Sequence, residues 1–120
     1  MSLDVSLYRK YHISYDGGKT LEEKEECVYD ANITHNLGEM ADKAGIYYAL
    51  WRPEEIEKYK AKDMIELLEK GLADLKERPE YFEQFNSPNG WGMYEHFVPF
   101  VEKYLEACKE YPETYIYVSR

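Results

Sequence analysis

The stretch that decides the fold is Leu3-Asp4-Val5-Ser6-Leu7-Tyr8-Arg9-Lys10-Tyr11-His12-Ile13-Ser14-Tyr15-Asp16-Gly17-Gly18-Lys19. Leu3, Val5, Leu7, Tyr11, Ile13 and Tyr15 occupy odd positions, and Asp4, Ser6, Lys10, His12 and Ser14 fall between them. A period of two places alternate side chains on opposite faces, so residues 3–15 predict one long strand, or two with a bend. Asp16-Gly17-Gly18-Lys19 is a hairpin signal, because glycine adopts the positive φ such turns need. The returning strand is expected at 20–30, ending in Cys27-Val28-Tyr29. Its acidic first half suits an edge strand or a solvent face.

After the hairpin the period changes. Leu37, Met40, Ala41 and Ala44 are spaced i, i+3, i+4, i+7, an amphipathic helix that Asn32 or Thr34 would cap and Gly45 would close. Residues 46–50 predict a further helical turn, and Pro53-Glu54-Glu55 the start of a short helix. Ala61, Ile65, Leu68, Leu72 and Leu75 form the clearest helical stripe, over 61–77. Gly71 inside it calls for a close helix contact. Residues 80–85 predict a short turn of helix, and Asn86 to Gly90 a loop. Tyr94 to Cys108 predict a last long helix, which Pro99 either kinks or starts. Residues 114–118 predict a final strand. The expectation is one α+β domain over residues 1–120: a small three-stranded, mainly antiparallel sheet, made of the N-terminal hairpin and the C-terminal strand, covered by four or five helices.

Composition narrows the function classes. The chain of 120 residues carries 15 Lys and Arg against 24 Asp and Glu, a net charge of −9, which disfavours direct nucleic-acid binding over a broad face. Only Glu22-Glu23-Lys24-Glu25-Glu26 is densely acidic. Elsewhere the acids alternate with lysines as solvated helix faces do. No run approaches the ~20 apolar residues of a membrane span, the first residues lack a basic start and apolar run, and Cys27 and Cys108 are too few for a disulfide framework. The expectation is a cytoplasmic protein, with no membrane partner. Thirteen tyrosines and two tryptophans suit half-buried walls of a core, a pocket or an interface.

Asn32-Ile33-Thr34-His35-Asn36 is the leading site candidate. Its polar side chains cluster at a strand-to-helix junction where free N–H groups could hold an anion, and His35 adds a donor or a proton. The same residues also read as plain helix caps. Arg52 could pair with a phosphate or carboxylate while Trp51, Tyr47 or Tyr48 stacks a planar ring. Equally, Trp51 belongs in a core and Arg52 beside Glu54 or Glu55. Trp91, in the Asn86–Gly92 loop, either closes over a ligand or anchors that loop. His35 and Glu39 have i, i+4 spacing, but no metal motif accompanies them, so no metal site and no cofactor are expected. Glycine-rich phosphate loops, nucleophile elbows and supported carboxylate pairs are absent, and His35 is the sole, weak catalytic candidate.

Several stretches together carry a resemblance: Leu3-Asp4-Val5, Ala31 to Met40 (ANITHNLGEM), Ala44 to Tyr47, Leu50 to Glu55 (LWRPEE), Gly71-Leu72, Asn89-Gly90-Trp91-Gly92 and Phe97-Val98-Pro99-Phe100. The chain resembles a small protein family met in bacteriophage and prophage genomes, over nearly its whole length. The resemblance supplies a setting and carries over no catalytic residue; it implies an accessory protein that binds host molecules.

Three readings follow. The first is a non-enzymatic binding protein that sequesters a nucleotide-like or other anionic small molecule, such as a host defence signal, through Asn32, Thr34, His35, Asn36, Tyr47, Trp51, Arg52 and Trp91. The second is an inhibitor that binds a host protein through the acidic hairpin and its tyrosines. The third is a small hydrolase using His35. A homodimer whose interface forms the pocket is compatible with each.

Overall fold

The computed structural model describes residues 2–120. It is an α+β fold built on a three-stranded antiparallel sheet in the order β2-β1-β3. Strand β1 spans Ser2–Ile13, β2 spans Glu22–Thr34 and β3 spans Tyr115–Ser119. Between β2 and β3 lie α1 (Gly38–Lys43), α2 (Tyr47–Trp51), α3 (Ile65–Glu77), α4 (Pro79–Glu83) and α5 (Tyr94–Glu110). Single 3₁₀ turns at His35–Leu37, Pro53–Ile56 and Ala61–Met64 join them.

The alternation in β1 has the physical meaning expected of it, but only for half the strand. Leu3, Val5 and Leu7 are fully buried beneath the helices. Arg9 breaks the apolar series, and from there on β1 leaves the core. β3 pairs with β1 only from Asp4 to Tyr8, whereas β2 pairs with it from Ser2 to Ile13. Residues 9–13 and 22–26 therefore form a two-stranded ribbon, with no third strand paired to it among the described residues. A bulge between Leu7 and Tyr8 marks where the ribbon leaves the sheet. The turn at its tip is held by Ser14 and Asp16. The Ser14 hydroxyl accepts from the Gly18 amide at 2.8 Å, and the Asp16 carboxylate accepts from the Thr20 amide at 2.9 Å. That amide, with Ser14, holds the Asp16 carboxyl below its ordinary value. The arm stretches the molecule to 59 × 27 × 23 Å.

The helices supply the rest of the core. From the 61–77 stripe, Ala61, Leu68 and Leu75 are buried, while Ile65 and Leu72 pack at its margin. Gly71 lies against Ile46, so close that a Cβ there would stand 2.4 Å from Ile46 Cγ2. Gly45 has φ +77° and ends α1, as its position predicts. In α5, Phe97, Phe100, Val101, Tyr104 and Cys108 are buried. Pro99 sits inside that helix rather than at its start. Among the described residues no helix is long and apolar enough to cross a membrane.

Two boundaries need correction. The helix expected over 61–77 opens as the 3₁₀ turn Ala61–Met64, and α3 itself starts at Ile65. β2 runs on to Thr34, four residues beyond the expected end near 30, so Asn32 and Ile33 belong to the strand and not to a helix cap. Ile33 is buried opposite Leu3, and that pairing extends the ladder through residues whose polar neighbours read as a break. Thr34 does cap, but only the short 3₁₀ turn: its hydroxyl accepts from the Asn36 amide at 3.3 Å.

Candidate functional site

The extension of β2 matters because it makes one wall of the principal cleft, a cavity of about 1060 Å³. That wall is Tyr29 and the continuous run from Ala31 to Leu37. The second wall is one face of α5, where His96, Pro99, Phe100 and Lys103 are spaced i, i+3, i+4, i+7. The third is the loop from Asn89 to Gly92. One chain builds all three walls.

The loop is fastened to the strand end. The Asn36 side-chain NH2 donates to the Trp91 carbonyl at 2.7 Å. The Asn89 carboxamide oxygen accepts from the Trp91 amide at 2.9 Å, and the Asn86 oxygen accepts from the Tyr94 amide at 2.6 Å. Gly92, at φ +111°, lies so near that a Cβ would stand 2.8 Å from the Asn36 Cβ. These bonds place the Trp91 indole at the rim, 70% exposed.

His35 is held from behind. The Trp51 indole N–H donates to His35 Nδ1 at 2.9 Å. An indole nitrogen only donates, so Nδ1 is the bare nitrogen and Nε2 carries the proton of the neutral ring. Trp51 is itself buried and stacked on Tyr47, with ring centres 5.4 Å apart and planes 8° from parallel. Tyr47 and Trp51 thus belong to the packing behind His35 and do not line the cleft. Arg52 also lies outside it, pairing with Glu55 at 2.9 Å.

The structure therefore brings together Asn32, Thr34, His35, Asn36 and Trp91, and leaves Tyr47, Trp51 and Arg52 apart from them. It adds residues that sequence reasoning passed over: Tyr29, His96, Phe100 and Lys103. The signal for the last three was their i, i+4, i+7 spacing along the helix expected over residues 94–108. Two of the three histidines, His35 and His96, meet at the cleft. His12 lies out on the arm, 3.9 Å from Glu23.

The electrostatics of the cleft oppose those of the chain. Asp and Glu make up 24 of 120 residues, yet none of the described residues lining the cleft is acidic. Lys103 supplies a full positive charge, and His35, His96, Asn36 and Asn89 supply polar contacts. His96 has Glu95 at 3.9 Å, outside the lining. Among the described residues no three His, Cys, Asp or Glu side chains gather to hold a metal ion. Cys108 is buried and its thiol is pushed up to about 12 by desolvation, so it stays protonated and unreactive.

The main chain adds a further feature. In an antiparallel sheet, successive residues turn their N–H and C=O groups to opposite edges. The Ile116 amide donates to the Tyr59 carbonyl at 2.9 Å, away from β1. Tyr115, Tyr117 and Ser119 therefore face β1, toward Tyr8, Ser6 and Asp4. It follows that Leu3, Val5 and Leu7 face β2, where they meet Ile33, Ala31 and Tyr29. Asn32 and Thr34 are left turning their main chain outward along the free edge of β2. The side chain of Asn32 is already engaged, donating to Asp4 at 2.6 Å on the outer face of the sheet. No family model, no curated protein and no solved structure matches this chain.

Proposed function

We propose that the protein is a non-enzymatic binder of a small organic anion that carries a planar ring, a nucleotide-like molecule. The observation that supports this most is the acid-free lining of the cleft in an acid-rich chain. Coulomb repulsion from a carboxylate in the lining would oppose an anion, and Lys103 attracts one. His35 and His96 add donors for phosphate or carboxylate oxygens, and the exposed Trp91 ring and the half-buried Tyr29 ring offer surface for stacking. In the phage setting that the resemblance implies, sequestration of a host signal in the bacterial cytoplasm is the corresponding role.

The test is a thermal-shift panel of mono-, di- and cyclic nucleotides, followed by calorimetry on any hit. A ligand at about 100 times its Kd adds ~2.7 kcal/mol of stability, a rise of roughly ten degrees for a domain of this size. Lys103→Ala should weaken a hit about tenfold, and added salt should weaken the native protein more than the variant. Arg52→Ala, outside the cleft, should leave affinity unchanged. A flat panel, or a hit indifferent to Lys103, removes this reading.

The projecting arm favours a second reading, inhibition of a host protein. It exposes Tyr15, Leu21 and the Glu22–Glu26 cluster beyond the core. A protein partner bound there would be lost on shortening the hairpin, with the cleft untouched, and its association rate would fall as salt rises.

A further inference from the structure

The free edge of β2 opens along the cleft, because the lining takes in the consecutive strand residues from Ala31 to Thr34 and these alternate between the two faces of the sheet. Asn32 and Thr34 turn their main chain to that edge, and among the described residues neither the Asn32 carbonyl nor the Thr34 amide has a main-chain partner in β1 or in the neighbouring turns. In an extended strand, C=O of one residue and N–H of the residue two further on sit side by side as an acceptor and a donor. Resting on the proposed anion-binding role of this cleft, the geometry points to main-chain recognition of the ring: the Asn32 carbonyl and the Thr34 amide read the Watson–Crick edge of a purine nucleotide whose phosphate lies toward Lys103.

The chemistry fits a purine closely. Adenine presents a donor (N6–H) beside an acceptor (N1), so N6–H donates to Asn32 C=O while Thr34 N–H donates to N1. Guanine presents the reverse order, O6 as acceptor beside N1–H as donor, and matches the same pair with its ring turned over, N1–H donating to Asn32 C=O and Thr34 N–H to O6. A bare carboxylate or phosphate ester offers the carbonyl no donor. Side-chain substitution cannot ordinarily remove a main-chain amide, but Thr34 allows it. Its φ is −72°, within the range of proline, and it follows a strand residue, which proline tolerates. Its amide makes no ladder bond to β1, so Thr34→Pro costs none. Thr34→Val is the matched control. It loses the hydroxyl that accepts from Asn36 but keeps the amide.

The experiment is calorimetric titration with adenosine and guanosine 5′-monophosphates, N6,N6-dimethyladenosine and 1-methylguanosine 5′-monophosphates, and ribose 5-phosphate. On the native protein the methylated nucleotides should bind about tenfold more weakly than the parents, because a buried polar group is left unpaired. Thr34→Pro, which removes the donor to N1 or O6, should weaken the parent nucleotides about tenfold, while Thr34→Val leaves their affinity near that of the native protein; the methylated nucleotides, which lose the bond to the Asn32 carbonyl, should stay weaker than their parents in both variants. If methylation changes nothing while Lys103→Ala still weakens every phosphate, main-chain recognition is overturned and the anion-binding role stands. If no nucleotide and no ribose phosphate binds, both fall. If nucleotides fail but an extended acidic peptide binds and Thr34→Pro abolishes it, the edge adds a peptide strand and the purine assignment is overturned. The analogue series on the native protein decides the matter even if Thr34→Pro fails to fold.

Discussion

Tyr104 carries the only described side-chain polar atom that is buried without a hydrogen-bond partner, its phenol oxygen. The ring is fully buried, stacked over Tyr29 at 6.0 Å, and desolvation holds its hydroxyl well above the ordinary tyrosine value. A buried unpaired hydroxyl costs about 1–3 kcal/mol, so deleting it should return part of that cost. Tyr104→Phe is expected to stabilise the protein by about 1 kcal/mol, raising the Tm by about 4 °C in calorimetry. A loss of stability instead would mean that an ordered water pairs with the hydroxyl in solution. The Trp51–His35 bond shows the opposite arrangement at the same scale, a buried donor satisfied by a cleft side chain. Trp51 thereby acts on the cleft without touching what enters it.

At the scale of elements, the approach of α3 to the α1–α2 junction rests on one missing methyl group. A Cβ on Gly71 would meet Ile46 Cγ2 at 2.4 Å and the Ala44 carbonyl at 3.3 Å. Helix propensity favours alanine over glycine by about 1 kcal/mol, but overpacking costs about 1–3 kcal/mol and includes a backbone atom that cannot rotate away. Gly71→Ala should therefore destabilise in a denaturant titration. Ile46→Ala combined with Gly71→Ala should be less destabilising than the two single effects summed, because alanine at 46 lacks the Cγ2 and Cδ1 atoms that the new Cβ would meet. Independent, additive effects would show that α3 and α2 separate rather than adjust. The junction of β2, the 3₁₀ turn and the 89–92 loop is tied in a comparable way, through Gly92 and Asn36, and there the close approach shapes the cleft.

Across the whole molecule the arm stands apart from the core. The radius of gyration is 16.5 Å, against about 13.6 Å for a compact chain of this length. An isolated two-stranded ribbon is marginal in water, so the arm's amides depend on cross-strand contacts such as Arg9–Glu26 at 2.8 Å, exposed and worth roughly 0.2–1 kcal/mol. Amides of residues 9–13 and 22–26 should exchange with solvent hydrogen orders of magnitude faster than those of Leu3, Val5 and Leu7 in mass-spectrometric or NMR measurements. Replacing residues 10–25 by a short turn should leave the Tm within a few degrees and nucleotide binding unchanged. Equal protection of arm and core would indicate that something covers the arm in solution, such as a second copy.

What the sequence by itself determined was local. Period-two alternation in residues 3–15, the glycines at 17 and 18, the stripe over 61–77 and the glycine at 45 each dictate an element through short-range sterics and burial; the strand ends at Ile13 and α3 starts at Ile65, after a 3₁₀ turn. The close contact at Gly71 was legible too, because glycine inside a helix needs a reason. The polar cluster around Asn32 to Asn36 was legible as a candidate site, but its structure was not: the pairing of Ile33 with Leu3 carries β2 through it, and a ladder bond between residues 30 apart leaves no local trace. The same holds for the second wall. His96, Phe100 and Lys103 sit on a helix more than 60 residues from Asn32, and only packing turns that face toward the strand edge. Arg52 and Trp51, attractive in sequence, were claimed by Glu55 and by the core. Tertiary structure alone decided which side chains share the cleft, and that its lining excludes acids, because which faces meet is set by burial summed over the whole chain.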